Sequence, residues 1–178
     1  MVAIASGTQH SLFIKSDGSL WAMGYDADGE LGDGGIPSFS HTTNMPEQII
    51  SSDVIAVSGG GLHSVFLKSD GSLWAMGNDA YGQIGDGTFN FSGIFIPTKI
   101  VSSNVVAIAA GGFHTLFIKS DGSLWGMGQN TSGQLGDGTF SNVGLPKQIV
   151  ASNVVAIAAG SRHSLFLKSD GSLWGMGR

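Results

Sequence analysis

A single block of sequence recurs nearly four times along this chain, and no other feature limits its fold so tightly. The block reads V-V-A-I-A-A-G-x-x-H-S-L-F-L-K-S-D-G-S-L-W-x-M-G, followed by G-Q-L-G-D-G-T and then P-x-x-I. Trp21, Trp74, Trp125 and Trp174 are spaced 53, 51 and 49 residues apart, and His10, His63, His114 and His163 keep the same spacing. A period of about 50 residues marks one supersecondary unit used again and again, each copy burying its apolar face against its neighbours. Residues present in every copy build the copy. A local function sits where the copies differ.

The third copy shows what the unit is. Val105–Ala110 is a short apolar run that ends at Gly111-Gly112, and His114–Lys119 alternates as a second strand. Asp121-Gly122 reads as a hairpin turn of type I′, in which both central positions take positive φ. Leu124–Gly128 is a third strand carrying Trp125 and Met127. A fourth, Pro146–Val150, opens on a proline, which a strand tolerates at its start. Four short antiparallel strands per unit predict an all-β fold, a β-propeller with about four blades in this chain. The 29 glycines and only 12% charged residues suit many tight turns between buried strands.

The pattern resembles the repeats of the regulator of chromosome condensation family. The residues that carry the resemblance are the G-x-x-H-[ST] step, the D-G-S-L-W turn and strand, and the G-x-N-x-x-G-Q-L-G-D-G loop. Asn130, Gly133, Gln134, Leu135 and Gly136 match that loop in the third copy. In the second, Gly82, Gln83 and Gly85 match it, with Asp79 in place of the asparagine. Met23, Met76, Met127 and Met176 stand where such repeats often carry a second aromatic, a softer core filler that leaves the fold reading intact. The resemblance implies rings of about seven blades and binding of protein partners through loop faces. The near-identity of the copies fits recent duplication and the bacterial style of these repeats.

The array divides as 1–45 (an incomplete first repeat), 46–96, 97–145 and 146–178 (a truncated fourth). Met1 falls where Val105 and Val154 fall, and Arg178 where Tyr25, Asn78 and Gln129 fall, so the chain holds three periods plus 25 residues. Three readings stand side by side: a piece of a longer propeller, a partial propeller that self-associates through incomplete end blades, and a small closed ring. Open end blades would expose apolar faces and unpaired strand edges.

Composition narrows the function classes. The net charge of −5 argues against a general binder of nucleic acid or anionic membrane. Residues 1–90 carry 2 basic and 10 acidic side chains, net −8, whereas residues 91–178 carry 6 and 3, net +3. With no cysteine there is no disulfide, thiolate–metal site or cysteine nucleophile. No apolar run approaches the ~20 residues of a membrane-spanning helix, and no signal-peptide pattern is visible in this chain. Cytoplasmic and secreted locations both fit.

Candidate chemical sites meet bland explanations. The four His-Ser/Thr pairs suggest a base and a nucleophile, but adjacent strand residues point to opposite faces and cannot form a dyad. Recurrence of His10, His63, His114 and His163 in every copy suits a structural hydrogen bond, and that of Trp21, Trp74, Trp125 and Trp174 suits packing between blades. The aspartates Asp17, Asp70, Asp121 and Asp170, and Asp33, Asp86 and Asp137, sit in turns where a carboxylate accepts nearby backbone N–H groups. The acidic stretch Asp26-x-Asp28-Gly29-Glu30 faintly resembles a calcium loop but lacks the glycine and glutamate spacing of an EF-hand. No P-loop, dinucleotide fingerprint or metal-ligand spacing appears, so no catalytic residue, metal or cofactor is assigned.

The segments that vary are Ile36–Asn44, Phe89–Ile96 and Phe140–Leu145, read as loops between the G-D-G turn and the proline strand, and the tips Tyr25–Asp28, Asp79–Tyr81 and Asn130–Ser132. Loops are usually polar, yet these carry Phe39, Phe89, Phe91, Phe95 and Phe140, with Tyr81 at a tip. Those six aromatics are the candidate partner-binding residues. The reading that follows is a non-catalytic protein-interaction scaffold. The alternatives are guanine-nucleotide exchange on a small GTPase and inhibition of an enzyme by loop insertion.

Overall fold

The computed structural model describes residues 1–35 and 41–178. Every regular element among them is a strand. The first sheet runs β1 (Ala3–Ser6), β2 (His10–Ile14), β3 (Leu20–Tyr25) and β4 (Thr42–Ile50). The second runs β5 (Val54–Gly59), β6 (His63–Lys68), β7 (Leu73–Asp79) and β8 (Asn90–Val101). The third runs β9 (Val105–Ala110), β10 (His114–Lys119), β11 (Leu124–Gly128) and β12 (Val143–Val150). The last holds β13 (Val154–Ala159), β14 (His163–Lys168) and β15 (Leu173–Gly177). Within each sheet, consecutive strands pair antiparallel in sequence order. These are four propeller blades, three of four strands and one of three.

The blade divisions fall at residues 51–53, 102–104 and 151–153, because each proline-led strand pairs with the sheet before it. Asp53, Asn104 and Asn153 turn the chain from one blade to the next at φ of 70, 68 and 68°. Asp and Asn tolerate that left-handed conformation better than other side chains.

Two expectations need correction. The Asp-Gly hairpins are not type I′, since only the glycine has positive φ, 77° at Gly122, and Asp121 does not. A hydrogen bond from Gly122 N to Lys119 O and one from Lys119 N to Ser123 O close a longer turn ended by a left-handed glycine. Asp121 Oδ1 then accepts from both Ser123 N and Ser123 Oγ. The outer strands are also longer than the proline suggests. β8 begins at Asn90 and β12 at Val143, so Phe91, Phe95 and residues 143–145 lie on strands rather than loops. The proline is absorbed where the register skips: Gly126 pairs with Lys147 and Gly128 with Val143, and the residues between are unpaired on an edge strand.

The core lies between blades. Leu12, Ile14, Leu20, Ala22 and Leu31 of the first blade pack with Phe66 and Met76 of the second, all 0–1% exposed. The second and third blades repeat the arrangement with Val65, Leu67, Leu73, Ala75 and Ile84 against Phe117 and Met127. One face of each sheet thus offers aliphatics and the other an aromatic and a methionine. The innermost strands β1, β5, β9 and β13 contact one another in succession around an axis lined by Gly7, Gly60, Gly111 and Gly160.

Candidate interaction site

The recurring histidines reach across blades, not along strands. His10 Nε2 lies 2.9 Å from Ser64 Oγ, His63 Nε2 2.9 Å from Thr115 Oγ1, and His114 Nε2 2.8 Å from Ser164 Oγ. Ser64 Oγ donates to Glu30 O and Thr115 Oγ1 to Gln83 O, so each of these hydroxyls has spent its proton. It therefore accepts from the imidazole Nε2–H. Burial pushes the histidine pKa values down, to about 4 for His10 and His114 and about 3 for His63. The pairs are buried, and in the His10–Ser64 and His63–Thr115 pairs the histidine is the donor, an arrangement opposite to that of a base activating a nucleophile. His163, on the last sheet, is exposed.

The tryptophans are half-buried, and Trp174 is 50% exposed. Trp74 lies parallel to Phe66 at 6.0 Å between centroids and Trp125 to Phe117 at 6.2 Å. Each indole N–H donates to the serine of its turn, Trp125 Nε1 to Ser123 Oγ at 2.8 Å. Lys68 and Lys99 cover Trp74, and Lys119 covers Trp125 at 4.1 Å from the ring centroid. Trp74 and Trp125 also pack on the core of the preceding blade.

The tips are built around buried polar residues. Asp26, Asp79 and Asn130 each accept the backbone N–H of a leucine or isoleucine five residues on. Gln83 accepts Tyr81 N and donates to Asn78 Oδ1; Gln134 accepts Ser132 N and donates to Gln129 Oε1. At the same place Glu30 accepts Asp28 N through Oε2, while its Oε1 is buried with no partner. Burial raises its pKa to about 7. His41 Nδ1 lies 3.0 Å from Asp26 Oδ2, and Asp26, Asp33 and His41 bring ligand-type atoms within 4.8 Å of one another. Both Asp26 oxygens already serve the tip, which is a turn-closing role shared with Asp79 and Asn130.

The candidate aromatics do not share one fate. Phe89 is 49%, Phe91 79% and Phe140 72% exposed. Phe95 is half-buried, and its carbonyl accepts Gly34 N from the first blade. Tyr81 is half-buried against Phe113, with ring centroids 5.2 Å apart. Phe39 lies outside the described residues. Two exposed aliphatic sets went unread in the sequence. Met45, Ile96 and Leu145, each preceding a proline, are 60–68% exposed, and Ile55, Val106 and Val155 are 55–56% exposed. Their recurrence at one repeat position was the available signal, but an apolar residue in a strand reads as core.

A repeat profile described as the regulator of chromosome condensation (RCC1) repeat matches residues 17–67, 70–118 and 121–167, and a second profile of that description matches 1–30, 54–83 and 105–134. Human E3 ubiquitin-protein ligase HERC2 is 35% identical over 139 residues, 76% of this chain and 3% of that protein. The ultraviolet-B receptor UVR8 of Arabidopsis thaliana is 32% identical over 142 residues, 76% of this chain and 31% of that protein. Human WBSCR16 superposes with a TM-score of 0.86 at 27% identity over 98% of this chain and 46% of that one. Yeast RCC1 (Prp20), solved bound to Kap60, superposes at 0.84 with 26% identity over 99% and 43%. The chain spans less than half of each of these proteins.

Proposed function

The chain belongs to the regulator of chromosome condensation (RCC1) repeat family, and from that premise we propose that it is a non-catalytic scaffold that binds a protein partner through the tips and outer strands of its blades. The observation that carries this reading is the exposure of Phe89, Phe91 and Phe140 at 49–79% in segments where the copies differ. Large aromatics left in water on a rigid frame are the usual anchors of a protein interface. The yeast RCC1 relative was crystallised with a protein partner, which supports the class of function and not the partner.

The test is affinity capture from native extract with the chain and with a Phe91→Ser/Phe140→Ser variant. Loss of the same specific proteins with an unchanged melting temperature supports the reading. Equal capture by both overturns it.

Self-association is an accompanying proposal. His163, Leu165, Leu167 and Leu173 stand on the last blade where His114, Leu116, Ile118 and Leu124 face the next blade, and Leu173 is 68% exposed. Light scattering of the 178-residue chain should show a mass that rises with concentration; a constant monomer mass would end the idea.

A further inference from the structure

We propose that the Phe91 turn and the acidic tips beside it form a docking site for a basic polypeptide segment that carries apolar side chains. This deepens the scaffold reading and rests on it. The geometry begins with a local device in the second copy. Between Gly77↔Ile94 and Asp79↔Asn90 the register of β8 skips, and Asn90 clamps the extra residues. Asn90 Oδ1 accepts Ser92 N and its Nδ2 donates to Gly93 O. The turn displays Phe91 at 79% exposure.

The turn is anchored on the neighbouring blade. Gly93, at φ 79°, lies against the Asp28 carbonyl so closely that a Cβ there would overlap it. Gly29 packs in the same way on Ile94 and Phe95. The displayed phenylalanine is therefore held at two points, so a partner pays little ordering entropy to use it.

Charge selects the partner. The Asp28 backbone carbonyl lies against Gly93 while its carboxylate accepts from Asn78 Nδ2, Asp33 precedes the Gly34 N–H bonded to Phe95 O, and Asp86 closes the turn just before Phe89. No lysine or arginine occurs between Lys15 and Lys68 or between Lys68 and Lys99, and Lys99 is engaged over Trp74. The third blade differs, because its Asp137 is paired with Lys147 at 2.7 Å. Asp33 Oδ2 lies 4.0 Å from His41 Nε2, and among the described residues no lysine or arginine pairs with Asp28, Asp33 or Asp86. Carboxylates without such a partner, on the tips beside an aromatic knob, favour arginine or lysine, whose stems pack on the ring and whose heads meet the carboxylates.

The experiment is fluorescence anisotropy on the whole chain with three synthetic peptides: alternating Arg and Leu, the same with Glu for Arg, and the same with Ser for Leu. The Arg/Leu peptide should bind best and weaken as salt rises. Phe91→Ser and, separately, Asp33→Asn/Asp86→Asn should each weaken it by about tenfold or more, with the melting temperature of each variant unchanged. Equal binding of the Glu/Leu peptide, no binding of the Arg/Leu peptide, or indifference to both variants overturns the proposal. If extract capture still depends on Phe91 while the Arg/Leu peptide has no advantage, the charge assignment falls and the scaffold reading stands.

Discussion

Thr115 Oγ1 of the third blade stands between His63 Nε2 of the second, at 2.9 Å, and Gln83 O of the same second blade, at 2.8 Å. One hydroxyl thus accepts from a strand and donates to a tip, fastening both to the next blade in a site with no solvent exposure.

Thr115→Val keeps the shape and removes both hydrogen bonds. It leaves an imidazole N–H and a carbonyl buried without partners, which should cost about 2–4 kcal/mol. Thr115→Ser keeps the hydroxyl and loses one methyl, about 1 kcal/mol. Urea unfolding of the three proteins checks the order; a Val variant as stable as the Ser variant would show that the hydroxyl does not link the blades.

The histidines set the acid side of stability. His10, His63 and His114 are neutral in the fold, with pKa values lowered by burial to about 4, 3 and 4 from 6.5. A depressed histidine takes up protons more readily when unfolded, so its contribution is complete above pH 6.5 and is lost as pH falls toward 4. Each unit of depression corresponds to about 1.4 kcal/mol. Unfolding midpoints should therefore drop steeply from pH 6.5 to 4, and a flat profile there would contradict neutral buried rings.

Glu30 acts in the opposite direction. Its pKa is raised by burial to about 7 from 4.5, with the carboxylates of Asp28 and Asp26 adding to the shift. A carboxyl raised in the fold favours the folded state below pH 4.5, and that advantage is lost as pH rises to 7. Glu30→Gln removes the titration and installs the amide that Gln83 and Gln134 carry. The variant should match the parent near pH 5 and exceed it by about 1 kcal/mol or more near pH 8. Equal midpoints at pH 8 would place the Glu30 carboxyl in contact with solvent.

What the sequence made legible was what repetition enforces. The strands from Val105 to Gly128 fall where alternation and the Asp-Gly turn put them, since each copy repeats the same local physics. The outer strand was misjudged because Pro146 looks like a beginning, whereas an edge strand tolerates it at a skipped register. The partner of His63 was invisible, because Thr115 is 52 residues away and the contact exists only once blades stack. The exposed Phe91 was visible as an oddity, but its display depends on Asn90 bonding around it and on Gly93 meeting Asp28, a contact between two copies. Glu30 is legible in the sequence as the acid that replaces the repeat glutamine; that its second oxygen is stranded follows only from the fold.

The repeated turn glycines give the last prediction. Gly122 and Gly171 occupy the same turn in successive blades, at φ of 77 and 86°. A methyl on Gly122 would sit 2.9 Å from Asn153 N, where the chain crosses to the last blade, whereas one on Gly171 meets nothing within 4 Å. Gly171→Ala then costs only the left-handed conformation, about 1–2 kcal/mol. Gly122→Ala costs that and a shift of the inter-blade crossing, where Val154 N bonds to Gly122 O. It should therefore lose clearly more, and the excess should appear as faster hydrogen exchange at Val154. Equal losses in the two variants would mean that the crossing yields without cost, and that the glycine is kept for its φ alone.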